Sequence, residues 1–179
     1  LYLQNNTTIS YNNFINLVQK ISFFLKEKGL NPGDRVSVKL KKSHFFLAIY
    51  GACVHRGLIF IPLNDTYKDE ELLYFLNDSE SKILIKNKET SKNLKNKKLD
   101  KKFLIDTIEK DGSGSILNKS LKDNISEAPV KRKLDDIVAI LYTSGTTGKS
   151  KGAMISQENL ISNAETLKNF WHFNSKDVL

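Results

Sequence analysis

The sequence has 179 residues, 40% of them apolar, and 28 Lys and Arg against 20 Asp and Glu give it a net charge of +8. That apolar share is enough for a packed core, and no uninterrupted apolar run is long enough to predict a transmembrane helix. One cysteine, Cys53, excludes an internal disulfide and supplies no metal-ligand spacing, and His44, His55 and His172 are too scattered to indicate a zinc site.

The start, LYLQNNTTIS, shows neither the basic nor the apolar region of a secretory signal. It also lacks an initiator Met, and the chain stops at DVL without a closing signal, so a piece of a longer protein is expected. In NNFINLVQKISFFLKEKG, Phe14, Leu17, Val18, Ile21, Phe24 and Leu25 fall at helical spacing, with Ser10 to cap the start and Gly29 the end. The turn NPGD leads into RVSVKL, a short alternating strand. SHFFLAIYGACVHRG is apolar on nearly every face and predicts a buried helix, with Cys53 as a structural thiol inside it. LIFIPL is a buried strand that ends at Pro62. In NDTYKDEELLYFLNDS, Thr66 and Asp69 match a capping box ahead of an amphipathic helix, and KILI is the next strand.

Residues 86–102, KNKETSKNLKNKKLDKK, hold eight Lys against Glu89 and Asp100, so most of the net charge is concentrated there. Such a Lys/Asn run with almost no apolar residues reads as a solvated loop. A nucleic-acid patch would interleave arginine and aromatic residues with the lysines, and none occurs in the run. KFLID is a further strand, DGSGS a turn or linker, ILNKSLKD a short helix and 124–134 a linker before the strand DIVAILY. Strands alternating with helices at this spacing predict an α/β fold with a mostly parallel sheet flanked by helices. In such sheets, ligands sit beyond the carboxyl ends of the strands.

At one such end stands YTSGTTGKSKG, residues 142–152. A triphosphate needs close-approaching backbone N–H groups, hydroxyl donors and fixed positive charge. Gly145, Gly148 and Gly152 leave the backbone open and free of side chains, Thr143, Ser144, Thr146, Thr147 and Ser150 carry hydroxyls, and Lys149 and Lys151 carry charge. A plain flexible linker would use many of the same residues, but not the two lysines directly after a buried strand. A Walker A loop requires a glycine five positions before Gly148, where Thr143 stands, and a helix directly after the lysine. Here GAMI reads as a brief extended return, and the helix begins only near Ser156, with Glu158 in its first turn.

The loop resembles the phosphate-binding loop of the adenylate-forming enzymes, which include acyl-CoA synthetases, peptide-synthetase adenylation domains and luciferases. The flanking ILYTSGTTGKSKGAMISQENLISNAETLKNFWHFNSKDVL and PLNDTYKDEELLYFLNDSESKILI are most similar to the malonyl-CoA synthetase branch. The resemblance covers most of the chain outside roughly 86–133, and Gln157 stands where many relatives carry His. It implies part of the large N-terminal AMP-binding domain of a cytoplasmic acid–CoA ligase that uses ATP, Mg2+ and coenzyme A, with a small carboxylic acid, malonate favoured, as substrate and a fatty or aromatic acid as the alternative. It further implies that Thr143, Ser144, Gly145, Thr146, Thr147, Gly148 and Lys151 hold the ATP phosphates, with Lys149 and Gly152 ranked after them. The catalytic residues, the metal ligand, the acid pocket and the carboxy-terminal domain are expected beyond Leu179. A P-loop hydrolase and a nucleic-acid-binding module remain as readings from other classes.

Overall fold

The computed structural model describes residues 1, 3, 8–87, 103–119, 127–143, 150–174 and 177. Its first helix, α1 (Tyr11–Glu27), opens at Ser10, whose hydroxyl accepts from the Asn13 amide, and closes before Gly29 at φ +79°. Strand β1 (Arg35–Lys39) follows, and then α2 (His44–Arg56), capped by Ser43 and ended by Gly57 at φ +74°. Both glycines take the left-handed conformation that closes a helix at little steric cost.

Strand β2 (Ile59–Pro62), helix α3 (Asp69–Asp78), strand β3 (Ile83–Lys86), strand β4 (Leu104–Thr107) and the short helix α4 (Ser115–Lys119) come next. The chain finishes with β5 (Ile137–Thr143), β6 (Lys151–Ser156) and α5 (Gln157–Phe170). The strands form one sheet in the order β4-β3-β1-β2-β5-β6. The first five are parallel and β6 runs antiparallel to β5, so the expected mostly parallel α/β sheet is present.

Two apolar clusters sandwich the sheet. On one face Ile21, Phe24 and Leu25 of α1 and Ile49 and Ala52 of α2 pack on Val36, Val38, Ile83 and Ile85. On the other, Leu72, Phe75 and Leu76 of α3 pack on Ile61 and Leu84, with Ile140 and Tyr142 of β5 alongside. Strand β1 alternates in sequence yet is buried on both faces, because its polar residues find partners. Ser37 bonds to the Ser81 hydroxyl at 2.6 Å, and the Lys39 ammonium donates to the Tyr67 carbonyl.

The start of α3 departs from expectation. Lys68, not Thr66, occupies the cap position, and its amide donates to Glu71 Oε2 at 3.0 Å. Thr66 instead donates both its amide and its hydroxyl to Asn64 Oδ1, forming a local turn that delays the helix. Lys86, the first residue of the lysine run, belongs to β3 and is 2% exposed, while 88–102 lie outside the described residues.

Residues 127–134 are held against α1 and α2. Glu127 accepts from Lys26 Nζ at 2.7 Å and from Arg56 Nη1 at 3.3 Å, and the Lys26 hydrogen bond leads the effects that lower its carboxyl pKa. Its carbonyl lies 3.0 Å from His55 Nε2, and since a carbonyl only accepts, the Nε2 proton is in place. His55 Nδ1 stands 3.0 Å from Ser22 Oγ, so this histidine is a structural strut.

Candidate active site

The carboxyl ends of β1, β2 and β5 lie on the same edge of the sheet, since the three strands are parallel. A cleft of about 450 Å³ opens there at the ends of β1 and β2, with Leu40, Phe46, Pro62 and Leu63 among its walls and Lys41, Lys42 and Asp65 contributing charge. The glycine-rich sequence begins at the end of β5, on the edge where ligands of such sheets bind.

Of the residues expected to hold phosphate, the structure describes Thr143, Lys151 and Gly152; Ser144, Gly145, Thr146, Thr147, Gly148 and Lys149 lie outside the described residues. Thr143 and Lys151 are opposite one another in the β5–β6 ladder, at its loop end, and both are exposed. Both side chains are therefore open to a ligand at the strand end.

Gly152 pairs with Tyr142, and its φ lies outside the left-handed region. The reason for glycine there is steric: a Cβ would lie 2.7 Å from Ile140 Cγ2 and 3.4 Å from the Tyr142 ring. The expected openness at Gly152 thus serves the strand's own neighbours, which close over the bare backbone.

The strand β6 carries the chain back along β5 before α5 starts. Six residues of strand span roughly 17–20 Å, so the α5 N-terminus faces the opposite end of the sheet from the loop. Its amides are also taken. Gln157 and Glu158 donate to the Asp136 and Leu134 carbonyls, each at 2.9 Å, and Asn159 donates to Ser156 Oγ at 3.2 Å. A P-loop aims a helix N-terminus at the phosphates; here that helix end is docked elsewhere, which removes the Walker A reading on geometry.

Helix α3 supplies residues that the sequence did not single out. The Tyr142 phenol donates to Asp78 Oδ2 at 2.6 Å, and the Tyr74 phenol donates to the Ser150 carbonyl at 2.8 Å. Burial first, and then the hydrogen bond to Asp78, push the Tyr142 phenol pKa upward, so it stays protonated and donating through the physiological range. Tyr142 heads the loop motif and was legible as a residue. Tyr74 falls in an amphipathic helix pattern, where an aromatic reads as core, and nothing local ties it to residue 150.

Among the described residues no group of three or more His, Cys, Asp or Glu side chains is arranged to hold a metal ion, so none is assigned to Mg2+. Nor is any described helix long and apolar enough to cross a membrane.

The model of the family described as "AMP-binding enzyme" matches residues 1–179. The crystal structure of ATP-bound MatB from Rhodopseudomonas palustris superposes with a TM-score of 0.90 at 36% identity, over 98% of this chain and 35% of that one. The malonate–CoA ligase of Arabidopsis thaliana is 32% identical over 83% of this chain and 25% of its own length. Surfactin synthase subunit 1 of Bacillus subtilis is 30% identical over 94% of this chain and 4% of its own length. The chain thus spans about a third or less of each relative. With every residue inside the family match and the same backbone recurring in an ATP-bound relative, the chain belongs to the AMP-binding enzyme family.

Proposed function

We propose that this chain forms part of the large N-terminal domain of an ATP-dependent acid–CoA ligase, with malonate as the favoured acid. The carrying observation is the β5–loop–β6 unit: a glycine-, hydroxyl- and lysine-rich loop at the carboxyl edge of a parallel sheet, with the following helix turned away. Likeness to the ATP-bound relative supports ATP as the nucleotide, and likeness to a malonate–CoA ligase supports the acid.

In this reading the acid's carboxylate attacks the α-phosphorus of ATP, forming an acyl-adenylate and releasing pyrophosphate. The thiol of coenzyme A then attacks the acyl carbon and releases AMP. The loop's task is to hold the β- and γ-phosphates and to neutralise the departing pyrophosphate, through Thr143, Ser144, Gly145, Thr146, Thr147, Gly148 and Lys151, with Lys149 and Gly152 ranked after them. The Lys151 side chain is exposed at the stem and free to turn toward that charge. Bound Mg2+ would share the phosphate charge, with ligands supplied by the rest of the protein. The acid pocket and the coenzyme A site are likewise assigned to the remainder of the protein. A cytoplasmic location belongs to the same proposal.

The test is ATP–pyrophosphate exchange by the full-length protein with a panel of malonate, oxalate, fatty and aromatic acids. Malonate is expected to support the fastest exchange. Thr146→Ala and Lys151→Ala are each expected to slow exchange by about 10²–10³, the cost of one donor whose contact tightens in the transition state. Unchanged exchange in both variants removes the loop from the reaction, and fastest exchange with another acid overturns malonate.

A further inference from the structure

Helix α3 grips both stems of the glycine-rich loop from one face of the sheet. On the entering stem, the Tyr142 ring packs on Phe75 with centroids 4.6 Å apart while its hydroxyl reaches Asp78. On the leaving stem, the Tyr74 hydroxyl reaches the Ser150 carbonyl. Phe75 stands between Tyr67 and Tyr74, at 4.8 and 5.3 Å, so four rings form one block under the stems. The strand ladder ends at the Thr143–Lys151 pair. Ser150 lies beyond that pair, so Tyr74 holds the chain where the β5–β6 pairing has stopped.

We propose that α3 is the positioning element of the phosphate loop. Tyr74, Asp78 and Tyr142 set the separation and orientation of the two stems and so determine where the loop's donors stand. The physical ground is preorganisation: donors already held in position bind the phosphates without the cost of being ordered, so loss of the hold weakens ATP binding. Residues 144–149 are joined covalently to both stems, so the positions of the stems bound where the donors between them can stand. The chemical readout of this proposal rests on the adenylation reading above; its structural readout does not.

The test uses Tyr74→Phe and Tyr142→Phe in the full-length protein. Each removes one hydroxyl and keeps the ring block, so folding is preserved. Hydrogen exchange is measured first, without nucleotide. Tyr74→Phe is expected to speed exchange of the amides at 151–153 by about two- to tenfold, the worth of one net hydrogen bond, while Val36 and Val38 in β1 keep their rates. Kinetics follow: the KM for ATP is expected to rise by about two- to tenfold in either variant, with the KM for the acid unchanged. Asp78→Asn keeps an acceptor for Tyr142 and should stay near wild type, whereas Asp78→Leu should match Tyr142→Phe.

Unchanged exchange at 151–153 overturns the proposal, as does faster exchange with an unmoved KM for ATP. Parallel losses in β1 protection and in both KM values would mean general loosening, and would overturn it as well. Wild-type protein inactive with every acid would defeat the adenylation reading. In that case the dissociation constant for ATP, measured at equilibrium, replaces KM. A Tyr74→Phe value equal to wild type, or no ATP binding at all, then overturns the positioning role.

Discussion

Replacing Gly152 with Ala should destabilise the protein, although the same change in an ordinary strand stabilises it. A glycine inside a strand costs about 0.5–1 kcal/mol relative to alanine through lost chain entropy, so the expected baseline is a gain of that size. Against it stands the Ile140 methyl: the new Cβ would lie 2.7 Å from Cγ2, about 1 Å inside the optimal separation of two carbons. Cγ2 is bonded directly to a branched Cβ, so it moves only if χ1 rotates off its well or the backbone shifts. Overpacking of this kind costs about 1–3 kcal/mol, which outweighs the gain and leaves a net loss of up to about 2.5 kcal/mol.

The steric origin can be isolated with a double-mutant cycle. Ile140→Ala deletes Cγ2, and in that background Gly152→Ala should be neutral or mildly stabilising. Urea denaturation of the full-length wild type, the two single variants and the double variant measures the coupling, which isolates the steric cost and is expected at about 1–3 kcal/mol. A stabilising Gly152→Ala in wild type, or coupling within about 0.5 kcal/mol of zero, would refute the packing argument.

Burial pushes the Cys53 thiol far above its ordinary pKa of 9.0, so it should resist thiol reagents at pH 8 in the native protein and react fully once unfolded. Because the folded pKa is the raised one, this stabilising contribution is complete below about pH 9 and is lost as pH climbs beyond it. Denaturation midpoints should therefore fall between pH 8 and 11, and fall less in Cys53→Ala; an equal fall in both would exclude the thiol as a source. Lys28→Ala leaves the Asp106 carboxylate, 3% exposed and paired at 2.7 Å, without its cation, and should cost about 1–3 kcal/mol in a urea titration. Glu127→Gln weakens the contacts to Lys26 and Arg56, and faster hydrogen exchange at Val130, whose amide donates to the His55 carbonyl, would report it.

Local patterning determined most of the elements. The apolar spacing of 14–25 with Ser10 and Gly29 at its ends specifies α1, and the run FFLAIYGACV specifies a helix, although it is buried on one face only, with Leu47 exposed. The extended return at 152–155 and the cap at Ser156 were also legible, and with them the departure from a Walker loop. Capping at α3 was misread: Thr66 and Asp69 have the right spacing, but the neighbouring Asn64 offers Thr66 a competing acceptor. A cap pattern records which bonds are available locally, and two local patterns can claim the same hydroxyl.

The residue order of YTSGTTGKSKG carried the proposed phosphate-binding role, since hydroxyls, lysines and glycines suit that role whatever surrounds them. Tertiary structure alone decided the strand order, the burial of Lys39 and Lys86 within it, and the α3 contacts that hold the loop's stems. Tyr74 and Ser150 are separated by 76 residues, and Asp78 and Tyr142 by 64. Periodicity says which face of a helix is apolar but not which strand that face will cover. That choice depends on packing between surfaces far apart in the chain, where a tyrosine's ring is chosen by the core and its hydroxyl by whatever the fold brings within reach.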